Sequence, residues 1–189
     1  ETDFVSRGEA FAQAADKIVQ MVLEGPEGEV EVDEKYTAIT DELRIQIQEN
    51  ISLRRAVKLT GEKIGTYVHH NSKNGAVIVA EGPIDADMLT GLCQHVVAHV
   101  PPPLAVDESG LDAAAIEEQR KSAMAEAEAS GKPAEIAEKI ATGKLKKWID
   151  EQTLLGQDYV RDMDSRKPVR EHLPKDVKIV NFVRCALGG

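Results

Sequence analysis

Apolar residues in the first segment recur with a helical period: Phe11, Ala15, Ile18 and Val22 lie four, three and four positions apart. That stripe predicts a helix from about Val5 to Leu23, capped by Thr2 and Asp3 and stopped by Gly25-Pro26. A Gly- and Glu-rich loop follows, and Tyr36, Ile39, Leu43 and Ile47 then predict a second helix over about 33–48. The period next changes to two. Ile51, Leu53, Val57 and Leu59 alternate with Ser52, Arg54, Ala56 and Lys58, the pattern of a half-buried strand. Residues 63–70 and 76–80 predict two more strands, joined by a loop that ends in Asn74-Gly75, a strong turn pair. Three consecutive short strands suggest an antiparallel meander with helices on one face.

Met88, Leu89, Leu92, Cys93, Val96, Val97 and Val100 cover one continuous arc at 100° per residue, so a helix over about 84–100 should bury that face. Pro101-Pro102-Pro103 ends it. Residues 111–154 differ in character, being rich in Ala, Glu and Lys and interrupted once at Ser130-Gly131-Lys132-Pro133. Gly can end one helix and Pro begin the next, so this stretch reads as a helical hairpin. The last apolar run alternates again, with Val177, Ile179, Val183, Cys185 and Leu187 expected on one side of a strand. The expected class is α+β: two small α/β core subdomains with antiparallel sheets and helices, plus an inserted helical hairpin, a coiled-coil arm. The expected boundaries are 1–83 for the N-terminal core subdomain, 84–110 with 155–189 for the C-terminal one, and 111–154 for the arm.

Composition narrows the field. The chain has 189 residues and a net charge of −10, which disfavours direct binding of nucleic acid or an anionic membrane, since both rest on Lys and Arg neutralising phosphate. No apolar run nears the ~18 residues of a membrane span. Cys93 and Cys185 stand far apart in apolar stretches, so neither a disulfide scaffold nor a Cys-based zinc site is expected, and a reducing compartment is. Glu1 in place of Met leads to the expectation of an upstream segment.

Candidate chemistry is sparse. His95 and His99, four apart on a helix, could chelate a metal, but nothing nearby completes a site; a pair of boundary histidines at the margin of the apolar stripe is the preferred reading. His69 and His70 sit at a strand end, where neighbours point to opposite faces, and no nucleophile or acid partner accompanies them. Gly61, Gly65 and Gly75 are scattered and form no phosphate loop. Lys144, Lys146 and Lys147 are ringed by Glu138, Asp150 and Glu151, as on a solvated helix face. An interaction protein is favoured over an enzyme, with no metal and no cofactor expected. Phe4 has two readings: a staple packed near Phe11, or an outward wedge beside Asp3.

Six blocks, in one order over nearly the whole chain, carry a resemblance. They are Thr2-Asp3-Phe4-Val5 with Phe11 and Ala15-Asp16-Lys17; Glu49-Asn50-Ile51-Ser52-Leu53-Arg54-Arg55; Gly65-Thr66-Tyr67-Val68-His69; the arm blocks Ser130-Gly131-Lys132-Pro133, Ile136-Ala137-Glu138-Lys139-Ile140 and Gly143-Lys144-Leu145-Lys146-Lys147-Trp148; Gln157-Asp158-Tyr159-Val160; and Phe182-Val183-Arg184. Together they resemble the signature of the translation elongation factor Ts family. Gln48 departs from it, standing where the family prefers Gly.

The resemblance implies a guanine-nucleotide exchange factor for elongation factor Tu, acting by protein–protein binding without covalent chemistry. It implies that Thr2, Asp3, Phe4 and Val5 contact that GTPase, with Asp3 and Phe4 intruding near its magnesium and phosphate site. Ile47, His69 and Val160 are implied as further contacts, His69 on the side meeting the GTPase's third domain. The family usually begins with a small helical module and a strand ahead of the Thr-Asp-Phe-Val motif. The expected setting is a bacterial cytoplasm, with an organelle as the alternative, and the arm is a candidate for self-association. A competing reading is a module of the same fold that binds the GTPase without driving exchange.

Overall fold

A computed structural model describes residues 3–187, and the side chains of 5–187. Two compact units divide between Thr60 and Gly61, ahead of the boundary at 83 expected from the sequence.

In the 1–60 unit, the run predicted as one helix is two: α1, Asp3–Ser6, and α2, Glu9–Glu24. Gly8, extended at φ −73° and ψ 149°, separates them and caps α2. Helix α3, Glu34–Ile47, starts at Asp33, whose carboxylate accepts the Lys35 N–H at 2.9 Å. Val22 of α2 and Tyr36, Ile39, Thr40 and Leu43 of α3 are buried where the two helices pack. The alternating run at 51–59 yields only a short strand, β2, Val57–Lys58, paired antiparallel with β1, Gly28–Glu29. A strand needs a partner, and β1 offers two residues; next to that pairing the run is held by the Val30 N–H, which donates to the Ala56 carbonyl at 2.9 Å. Lys58 ties the unit together: its ammonium donates to the Leu23 and Gly25 carbonyls, each at 2.7 Å, satisfying acceptors left open at the end of α2.

In the 61–189 unit, β3, Lys63–Val68, β4, Asn74–Glu81, and β5, Lys178–Ala186, form an antiparallel sheet in that order. The predicted meander is therefore corrected: its third strand is β5, from the far end of the chain, and not β2. Helix α4, Ala86–Ala98, is started by Asp85, whose carboxylate accepts the Met88 N–H at 2.8 Å. Ala76, Ile78 and Ala80 of β4 pack with Leu89, Leu92, Cys93 and Val96 of α4 to make the main core. Between Val79 and Ala80 the β4–β5 register shifts, so that Asn181 opposes Val79 while Ile179 opposes Ala80. The extra residue, Val180, breaks the alternation. Ile179 and Phe182 consequently both serve the core, whereas Cys185 and Leu187, expected on the same side as Ile179, are exposed.

The hairpin consists of α5, Ala113–Ala129, and α6, Ala134–Gln152. Its interior is four buried alanines, Ala123, Ala127, Ala137 and Ala141, a cluster separate from the main core. At its base the chain enters and leaves side by side. Ala105 and Thr153 form a parallel bridge; the Leu104 N–H donates to the Gln152 carbonyl at 2.9 Å and the Leu154 N–H to that of Ala105 at 2.8 Å. The assembly is α+β, as its pattern predicts.

Candidate functional site

The predicted contact residues fall in both units. Thr2 and the side chains of Asp3 and Phe4 lie outside the described residues. The Asp3–Ser6 backbone forms a helical turn of its own, and the Gly8 N–H closes it by donating to the Val5 carbonyl at 2.9 Å. Val5 is half-buried.

Ile47, half-buried, is the last residue of α3. Gln48 caps the helix in the left-handed region at φ 57°, its N–H donating to the Arg44 carbonyl at 2.9 Å. A side chain costs about 1 kcal/mol or more relative to glycine in that region. Ile45 beside it is 80% exposed, on the rim of a shallow depression shared with Asp41, Arg44, Gln48, Glu49 and Asn50.

His69 follows the end of β3. Its N–H donates to the Asn74 carbonyl at 2.8 Å, and its Nδ1 lies 2.9 Å from the Tyr67 hydroxyl. The His70 ring sits 4.1 Å from the His69 ring. The expectation that these neighbours diverge is corrected, because both lie past β3 in the turn and not within a strand.

Val160 opens a 3-10 turn, Val160–Asp162, laid against α4. Here the expectation for His95 is also corrected. It is fully buried (0% exposed), not marginal. Helix α4 is covered by the sheet on one face and by residues around 154–160 on another, so its buried arc exceeds the sheet-facing stripe. His95 Nε2 lies 3.0 Å from Gln157 Oε1, and Nδ1 lies 3.3 Å from the Val160 amide nitrogen. Burial pushes the imidazole down to about 4, partly opposed by the Gln157 bond and reinforced by the charge of His99. Tyr159 is held above the ordinary tyrosine value, chiefly by burial. Arg161 reaches back to α4, with Nε donating to Gln94 Oε1 at 3.0 Å and Nη1 to Asp87 Oδ2 at 2.9 Å. Gly91 makes room, since a β-carbon there would lie 2.2 Å from the Tyr159 hydroxyl.

Gln157 is a structural hub that periodicity does not reveal. Its signal was a lone amide following the apolar pair Leu154-Leu155. His99, the half-buried C-cap of α4, instead lies 2.9 Å through Nδ1 from the Pro101 carbonyl. Among the described residues, no three His, Cys, Asp or Glu side chains are placed to hold a metal ion. No helix among them is long and apolar enough to cross a membrane.

The elongation factor Ts family model matches residues 1–189. An elongation factor Ts of Francisella tularensis (strain WY96-3418) is 36% identical across all of this chain, and one of Alkalilimnicola ehrlichii is 35% identical over the same extent. An elongation factor Ts of Thioalkalivibrio sulfidiphilus is 33% identical over the whole chain. The chain spans 66% of the length of each of these relatives. With a match that runs from its first residue to its last, this chain belongs to the elongation factor Ts family.

Proposed function

We propose that the chain is a guanine-nucleotide exchange factor for the GTPase elongation factor Tu, working in translation elongation in the cytoplasm. The observation that carries this reading is the full-length family match, which includes the Thr2-Asp3-Phe4-Val5 motif. That motif overlaps a helical turn separated from α2 by Gly8.

The GTPase holds GDP through loop amides, a lysine and a magnesium ion that offsets phosphate charge. In the proposed mechanism, Phe4 enters as an apolar wedge near that site, and Asp3 places negative charge beside it. Thr2 and Val5 flank the wedge, while Ile47, His69 and Val160 supply further contact. Displacing the elements that support the magnesium weakens GDP. Linkage then requires GDP to weaken the factor by the same ratio, so either ligand expels the other and GTP in excess reloads the GTPase. No bond is made or broken. Both units carry these contacts, Thr2 to Val5 and Ile47 in the 1–60 unit and His69 and Val160 in the 61–189 unit, and the 111–154 hairpin is an inserted arm.

Stopped-flow release of fluorescent GDP from elongation factor Tu, chased with unlabelled GDP, tests the reading. Acceleration by the chain that falls at least tenfold in the Asp3→Ala, Phe4→Ala variant is the expected result. Equal acceleration by that variant rejects the wedge. Because the chain spans 66% of its relatives' length, a second reading is a docking core that binds without driving exchange. Binding in a pull-down with no acceleration would select it.

A further inference from the structure

The polar contacts beneath Val160 run in one direction. The Gln157 side-chain nitrogen lies 3.0 Å from the Pro101 carbonyl and 2.8 Å from the Glu151 carbonyl, so it is the amide NH2, and Oε1 is left to accept. The donor to Oε1 is His95 Nε2, which therefore carries the ring proton. The Val160 main-chain N–H can only donate, so Nδ1 must be bare. Both ends of the network demand the same neutral tautomer.

We propose that His95 is a positioning residue for binding of the GTPase: its bare Nδ1 holds the Val160 amide and thereby fixes the turn that presents Val160. This inference rests on the reading of Val160 as a contact under Proposed function. Each ring nitrogen does a separate job: Nε2 anchors the ring to Gln157, and Nδ1 anchors the turn to the ring. The depression of the imidazole to about 4 keeps it neutral at physiological pH, as the geometry requires. The titratable rings facing it are His99 at 4.9 Å and Tyr159 at 5.9 Å, with His172 beyond Tyr159 and Arg161 and Asp87 beside it.

Two substitutions separate this role from simple core filling. In His95→Asn the side-chain oxygen occupies roughly the place of Nδ1, keeping an acceptor for Val160 and losing the bond to Gln157. In His95→Gln the amide nitrogen reaches toward the place of Nε2, keeping the bond to Gln157 and losing the acceptor for Val160. Glutamine is also the larger residue and fills more of the cavity. A filling role therefore ranks His95→Gln above His95→Asn, and the positioning role ranks them the other way.

The measurements are hydrogen exchange of the Val160 amide in the free chain and acceleration of GDP release from elongation factor Tu. His95→Gln should lose about tenfold in both, the usual effect of one buried hydrogen bond. His95→Asn should stay within about threefold of the parent. Equal values, or His95→Gln ahead of His95→Asn, would overturn the proposal. Should neither variant fold, nitrogen NMR of the unaltered chain decides: a bare Nδ1 with a protonated Nε2 supports it, and the opposite tautomer removes it. Val160→Asp isolates the underlying reading. If that variant accelerates release normally, Val160 is not a contact and the proposal falls with it. The ranking of amide protection in the free chain, which needs no GTPase, tells that failure apart from a wrong role for His95.

Discussion

Gly65 of β3 and Leu89 of α4 are in contact so close that a β-carbon on Gly65 would lie 2.8 Å from Leu89 Cβ and 3.2 Å from its main chain. Strand and helix can approach this far only because position 65 has no side chain. Gly65→Ala should lower the urea midpoint by the equivalent of about 1–3 kcal/mol, through overpacking of the α4–sheet interface. Gly143, inside α6 with nothing within 4 Å of its would-be β-carbon, is the internal control. Gly143→Ala should stabilise by about 0.5–1 kcal/mol, because the unfolded chain loses freedom and the helix gains a better former. Equal shifts at both positions would show that the Gly65 contact is soft.

Acid should destabilise the fold through His95. Its pKa is about 4 in the folded chain against an ordinary 6.5, so between these values the unfolded state binds more protons. Stability is then fully present above about 6.5 and declines as pH falls toward 4, by on the order of 3 kcal/mol in total. Urea unfolding at pH 7, 5.5 and 4.5 should show the loss, and His95→Asn should flatten this part of the profile. A parent profile level over that range would mean that His95 titrates normally.

The arm should respond to overpacking on its own. Ala123, Ala127, Ala137 and Ala141 form its whole buried cluster, apart from the main core. Ala137→Leu should push α5 and α6 apart at a cost of about 1–3 kcal/mol. Hydrogen exchange should rise across both arm helices while α4 and the sheet keep their protection. Spread of the effect to α4 would contradict the separation of the two cores.

Legibility in the sequence followed the range of the forces involved. Helices α3 and α4 declare themselves through apolar repeats of a dozen residues or fewer, and α5 and α6 through their composition and the break at 130–133. Strands β3 and β4 show as short apolar runs, although the expected turn pair Asn74-Gly75 opens β4 instead of the turn. The break at Gly8 does not show, since the apolar stripe from Phe11 onward gives no information about the turn before it. The strand pairing of β5 with β4 and the displaced alternation at Val180 depend on a partner a hundred residues away, which periodicity does not encode. His95 is the sharpest case. Its wheel position placed it at a margin, and only the return of Gln157, 62 residues on, turns that margin into interior. The candidate contact residues were legible by resemblance, whereas the buried bonds that steady Val160 were visible only in three dimensions.

The bridge between Ala105 and Thr153 makes the hairpin a closed excursion of the chain. Whatever lies between those two residues begins and ends at one place, so the body imposes no condition on its length. Adding the same number of residues to α5 and α6 would move the tip outward by about 1.5 Å per residue in each helix, with the neck unchanged. The reach of the arm is thus an independent dimension of this molecule, open to adjustment by insertion or deletion without any rearrangement of the sheet and helix beneath it.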